Sequence, residues 1–120
     1  MEVIRKEVMP GIFVLELNGS LLIGVPCTRL GLAVEDLLTE KQKRIVLDLT
    51  GVPRVDSGGL GKIVNCLSRV RMAGGTMHVA GVNEQVAGLF KLTKVDRTIK
   101  TFPTARDAVN DIASSSATPQ

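Results

Sequence analysis

A serine stands at position 57 inside the run Asp56-Ser57-Gly58-Gly59-Leu60-Gly61, directly after an apolar stretch and directly before an apolar pattern of helical spacing. Two kinds of chemistry suit a hydroxyl placed there. As a helix N-cap, its oxygen accepts a hydrogen bond from an otherwise unpaired amide of the first turn, typically worth about 1 kcal/mol. As an exposed nucleophile it takes a phosphate, which the unpaired amides and partial positive charge of a helix start accommodate. The glycines favour the second use. A cap needs neither Gly58 nor Gly59 in the first turn, where each weakens a helix by up to about 1 kcal/mol relative to alanine. What glycine supplies is bare backbone and room for close approach. A phosphate adds roughly −1.5 to −2 charges, enough to repel an acidic or tightly fitted partner while the fold persists.

Other residues offer less. Nucleophilic catalysis wants a base beside the nucleophile, but the single histidine, His78, alternates with Met77 and Val79 and so points away from their face. It reads as structural. The block is no phosphate-binding P-loop, because Lys62 follows Gly61 but no hydroxyl follows Lys62. Asp48 interrupts an apolar strand and is expected to face a loop or pair with a cation, while Arg71, on the apolar side of its helix, is expected to extend its head to water. Cys27 and Cys66 form no CxxC motif and have no His or Cys cluster beside them, so they read as reduced, partly buried thiols of a cytosolic protein. No catalytic residue, metal or cofactor is expected.

The elements that would hold Ser57 in place can be read from the pattern. Val3 to Val8 and Ile12 to Leu17 are β-rich runs separated by Met9-Pro10-Gly11, which predicts an opening hairpin. A helix is expected to begin near Pro26, with Leu30, Val34, Leu37 and Leu38 at helical spacing. Arg44 to Val52 is apolar at nearly every position and predicts a central strand leading straight into the serine block. Leu60, Ile63, Val64, Leu67 and Val70 then repeat at three and four residues until Gly74-Gly75 stops the helix. A short strand at TMHVAG, a helix capped by Asn83, a strand from Thr98 to Phe102 and a last helix capped by Thr104, with Asp107 three residues on, complete the chain. The order β β α β α β α β α predicts an α/β domain with a mixed, mostly parallel sheet, an N-terminal hairpin and about four helices. Strand ends that feed helix starts are where such sheets place their sites.

Composition narrows the partners. At 120 residues and 44% hydrophobic, the chain suits one domain, read as residues 1–113 with a disordered tail at 114–120. A net charge of +3, no Trp or Tyr and only three Phe leave no stacking platform, so nucleic acid is not an expected partner. No run reaches the roughly 18 to 20 apolar residues of a membrane span, and MEVIRKEVMPG lacks a signal peptide's apolar segment, so a cytoplasmic location is expected. The hairpin edge allows a monomer or a weak homodimer.

The stretch RIVLDLTGVPRVDSGGLGKIVNCLSRVRMAGGTMHVAGVNEQVAGLFKLTKVDRTIKTFPTARDAV closely resembles the bacterial STAS domain of anti-sigma factor antagonists, typified by the sporulation antagonist of Bacillus. The resemblance spans most of residues 3 to 112. It is carried by the D-S-x-G-L-G block after its strand, the turn at Gly74-Gly75, and Leu89-Phe90. It implies that the unmodified domain binds an anti-sigma factor serine kinase and frees a sigma factor, that the kinase phosphorylates Ser57 to switch binding off, and that a serine phosphatase restores it. Asp56 would shape the serine's surroundings, and Gly58, Gly59, Leu60 and Gly61 would form the docking surface. Lys62, Asn65 and Arg69, read as the outer face of the helix, and Leu21 and Leu22, in the loop after the second strand, would be further partner contacts. Two departures stand out. Many relatives have a second hydroxyl where this chain has Gly58, and a G-E-L-D loop where it has Gly19-Ser20-Leu21-Leu22, so Leu22 replaces an acid.

Two alternatives remain open. The domain could be a binding subunit of a lipid-transport ATPase or a stress-signalling scaffold, never phosphorylated, with Ser57 as a cap. The apolar loop from Gly19 to Pro26 could also sense a small molecule, although exposed apolar loops more often mark protein contacts.

Overall fold

Ile12, Val14, Phe13, Leu15 and Leu17 are all buried, so the second strand is covered on both faces. A computed structural model describes residues 1–117, with side chains to residue 115, and shows what covers it. Strands β1 (Glu2–Met9) and β2 (Ile12–Asn18) form the antiparallel hairpin through Pro10-Gly11, where Gly11 adopts φ +78°. β3 (Arg44–Gly51), β4 (Thr76–Ala80) and β5 (Thr101–Phe102) add in sequence order, each parallel to the last. Helices α1 (Val25–Thr39), α2 (Ser57–Met72) and α3 (Glu84–Leu92) make the crossovers, and α4 (Ala105–Ala117) follows β5. This is the expected order and class.

The period of two divides each strand between two cores. Phe13, Leu15, Leu17, Ile45, Leu47, Leu49, Met77 and Val79 face one side, where Leu30, Val34 and Leu37 of α1 and Leu60, Ile63, Leu67 and Val70 of α2 pack on them. Val14, Val46 and Ala80 face the other, covered by Ala108, Val109 and Ile112 of α4. His78 shares this second side, as alternation requires. Its Nε2 lies 2.8 Å from Asp111 Oδ2 and its ring packs 4.9 Å from that of Phe102, so it pins α4 to the sheet.

Glycine and caps set the helix limits. After α2, the Gly75 amide donates to Val70 O and the Gly74 amide to Arg71 O, a Schellman ending with Gly74 at φ +82°. α1 ends the same way with Lys41 at φ 62° in the left-handed position. Asn83 Oδ1 accepts from the Val86 amide, and Thr104 Oγ1 from the Asp107 amide, as their spacing foretold.

Two expectations are revised. The last strand is Thr101–Phe102 rather than Thr98 to Phe102, because Val95–Arg97 forms a 3₁₀ turn and the Ile99 amide donates back to Val95 O, holding 98–99 out of the sheet. α4 continues through Ala117, so residues 114–117 are helical where a disordered tail is expected, and residues 118–120 lie outside the described residues. Asp48 turns toward the end of its strand beside the Gly81 position, one of its two expected settings; its Oδ1 accepts from the Thr50 amide at 3.0 Å and the Thr50 hydroxyl at 2.6 Å, fastening the end of β3. Arg71 is exposed as expected, but its guanidinium also donates to Thr98 O at 2.8 Å.

Candidate docking and modification site

The site begins where β3 runs out. Val52 to Asp56 carry the chain from β3 to α2, and Leu21 forms a parallel bridge with Val55 beside them. The Leu21 amide donates to Arg54 O at 2.9 Å, so the loop after β2 is stitched to the segment before α2. The N-cap of α2 is Asp56 and not Ser57: Asp56 Oδ1 accepts from the Gly59 amide at 2.7 Å. Its Oδ2 accepts from the Ile23 amide at 3.0 Å. These two amides, Ile23's first and Gly59's second, hold the Asp56 carboxyl below the usual carboxylate range. Ser57, the first residue of the helix, is exposed and is spared the capping role.

The glycines have a structural cause that the sequence did not reveal. A Cβ on Gly59 would lie 2.1 Å from Leu21 O, and one on Gly58 would lie 2.7 Å from Ile23 Cβ. The room they provide is filled by the chain's own loop. Gly59 and Leu60 are therefore buried, and the Leu60 side chain belongs to the core. Gly61 has open space around it and is exposed. Leu21 is likewise no surface residue, since its side chain is fully buried in the core. Leu22 is half-buried, and its carbonyl accepts from Cys27 Sγ at 3.3 Å. The loop instead exposes Ile23, at 76%, against the Gly58 position of the Ser57 turn, and Val25, the first residue of α1, is 65% exposed two residues further on.

Lys62, Asn65 and Arg69 do not lie on a lone outer face. They line a cleft of about 360 Å³ between α1 and α2, with Thr28, Gly31, Leu32 and Glu35 opposite. The absence of a side chain at Gly31 lets the Lys62 stem pass close, for a Cβ there would lie 2.6 Å from Lys62 Cε. Arg69 forms an ion pair with Glu35 across the cleft. At its floor, burial pushes the Cys66 thiol up to about 11, which keeps it protonated at neutral pH and poor as a nucleophile. Among the described residues no group of His, Cys, Asp and Glu is placed to hold a metal ion. An exposed hydroxyl at a helix start, an exposed isoleucine next to it and a charged cleft behind it make a surface suited to being met by another protein.

This architecture, with a hydroxyl displayed where a parallel strand feeds a helix on a mixed sheet, defines a single α/β domain. The STAS domain model matches residues 3–108, and the chain belongs to that family. A protein of Thermotoga maritima named as an anti-sigma factor antagonist is 32% identical over 78 residues, covering 65% of this chain and 69% of the relative. The crystal structure of an anti-sigma factor antagonist from Thermotoga maritima superimposes with a TM-score of 0.84 at 28% identity, covering 92% of this chain and 94% of that one. The phosphorylated form of SpoIIAA, a Bacillus cell fate determinant, has a TM-score of 0.72 over 92% of this chain and 99% of its own, at 12% identity, a likeness of fold alone.

Proposed function

We propose that this domain is an anti-sigma factor antagonist whose unmodified form binds an anti-sigma factor serine kinase and so frees a sigma factor. Phosphorylation of Ser57 ends the binding, and a serine phosphatase restores it. The observation that carries this reading is the division of labour at the start of α2. Asp56 supplies the cap, which leaves the exposed Ser57 hydroxyl available without cost to the helix. The name borne by the Thermotoga maritima relative supports the same role.

The switch works through charge. A phosphate on Ser57 places a dianion next to the Asp56 carboxylate, in the turn that Ile23 packs against. The first-turn amides and the positive end of α2 soften its effect on the helix. A partner seated on Ile23 must then desolvate a dianion, which disfavours the complex while the domain stays folded. Incubation with the cognate kinase and ATP should raise the intact mass by one phosphate, and Ser57→Ala should abolish the gain while remaining folded. Equal phosphorylation of the alanine variant would move the site elsewhere.

A further inference from the structure

The cleft between α1 and α2 holds a charge that the domain itself leaves unanswered. Both helices pack on one face of the sheet, and Lys62, half-buried between them, has no ion-pair or hydrogen-bond partner among the described residues. The neighbouring charges are taken. Arg69 pairs with Glu35 across the cleft, and the two oxygens of Asp56 accept the Ile23 and Gly59 amides. Burial apart, the fixed charges acting on the Cys66 thiol at the cleft floor are those of Lys62, Arg69 and Glu35, two positive and one negative. Arg29, Asp36 and Arg71, the remaining charges of the two helices, do not line the cleft. One cation is left over.

Gly31 shows that this placement is built in. A Cβ there would lie 2.6 Å from Lys62 Cε and 2.8 Å from Lys62 Nζ, and beyond the backbone of α1 these are the only described atoms within 4 Å of that point. Glycine weakens the middle of a helix, and neither a turn nor a second backbone requires it at this position. The room it leaves is filled by the ammonium end of Lys62 alone. A long, flexible side chain is thereby laid against α1 instead of ranging through water.

Position and rim chemistry indicate what meets it. Lys62 lies five residues past Ser57 on α2, about 7.5 Å along the helix axis, well inside the roughly 800 Å² that a protein seated at Ser57 would cover. Leu32, on the α1 side of the same cleft, is 59% exposed. A small anion would answer the ammonium and leave Leu32 bare, whereas a side chain reaching in from a protein surface answers both.

We propose that the cleft receives an acidic side chain of the anti-sigma factor kinase, its carboxylate pairing with Lys62 while Leu32 meets apolar surface beside it. Lys62 is then a specificity determinant of the docking surface, because a partner without an acid there leaves the cation uncompensated. This assignment rests on the reading of the domain as an antagonist.

Isothermal titration of the cognate kinase with the unmodified domain tests it, using the parent, Lys62→Met and Lys62→Glu. Both variants should melt with the parent, since Lys62 has no partner in the free domain. Lys62→Met should weaken binding by roughly tenfold and Lys62→Glu by roughly a hundredfold. Lysine placed at each surface acid of the kinase in turn should, at one position, restore binding to Lys62→Glu and weaken binding to the parent. Equal affinity of the three proteins would overturn the proposal and leave the antagonist reading standing, whereas a parent that does not bind the kinase would overturn both. Failure of every acid-to-lysine exchange to restore Lys62→Glu would also overturn the proposal. Inorganic phosphate that raises the melting temperature of the parent but not of Lys62→Met, with kinase binding indifferent to Lys62, would assign the cleft to a small anion and overturn it as well.

Discussion

The carboxylate of Asp56 accepts the Ile23 amide at 3.0 Å across 33 residues of sequence, while its other oxygen caps α2 through Gly59. One acid thereby fixes the helix that presents Ser57 and the loop that presents Ile23 beside it. The two halves of the docking surface share a single anchor.

That anchor titrates. Because the folded-state pKa of Asp56 is depressed, its contribution is present above the unfolded carboxylate value of about 3.9 and is lost as pH falls through the lower folded value. Asp56→Asn should therefore melt below the parent at about pH 7, and the gap should narrow below about pH 4. Asp111, depressed first by its bond to His78, and Glu40, depressed by Arg5, lose their contributions in the same acid window in both proteins, so they cancel in the comparison. A gap that persists unchanged in acid would show that the Asp56 charge is not what holds the loop.

Two glycines of one turn should respond oppositely to alanine. At Gly59 the new methyl meets the Leu21 carbonyl at 2.1 Å, so the loop or the helix must shift, at a cost of about 1–3 kcal/mol. Gly61 faces open space, and its replacement should stabilise by up to about 1 kcal/mol through helix propensity. Urea denaturation of the two variants checks the signs.

Neighbouring loop residues should separate stability from binding. Leu21→Ala removes a fully buried side chain and should cost roughly 2–5 kcal/mol. Ile23→Ser, at a side chain 76% exposed, should change stability by no more than about 0.5 kcal/mol and yet weaken partner binding. Denaturation midpoints and partner titrations on the same two proteins distinguish the roles.

The frame of the molecule was legible because it rests on period and punctuation: alternation placed His78 opposite Met77, and Asn83 and Thr104 cap the helices their spacing suggested. The site was legible only in part. Ser57 stands where a strand-to-helix junction displays it, but sequence spacing cannot say which of two adjacent capping residues takes the cap, and Asp56 does. Nor does local pattern report a loop from 33 residues away, which is why Gly59 and Leu60 read as surface when Leu21 covers them. The cleft of Lys62, Asn65 and Arg69 was hidden for the same reason, although Gly31 on α1, free of any turn duty, was a signal for close helix approach. The shortening of β5 follows from the 3₁₀ turn, whose backbone bonds outweigh the strand preference of Thr98 and Ile99 at the sheet edge.

Isothermal titration of the cognate anti-sigma kinase with the domain, unmodified and stoichiometrically phosphorylated on Ser57, tests the central claim most directly. Phosphorylation should weaken binding by roughly a hundredfold while the thermal melt remains cooperative, as expected for a dianion set against a docked partner. Equal affinity of the two forms, or a phosphorylated domain that has unfolded, would contradict it.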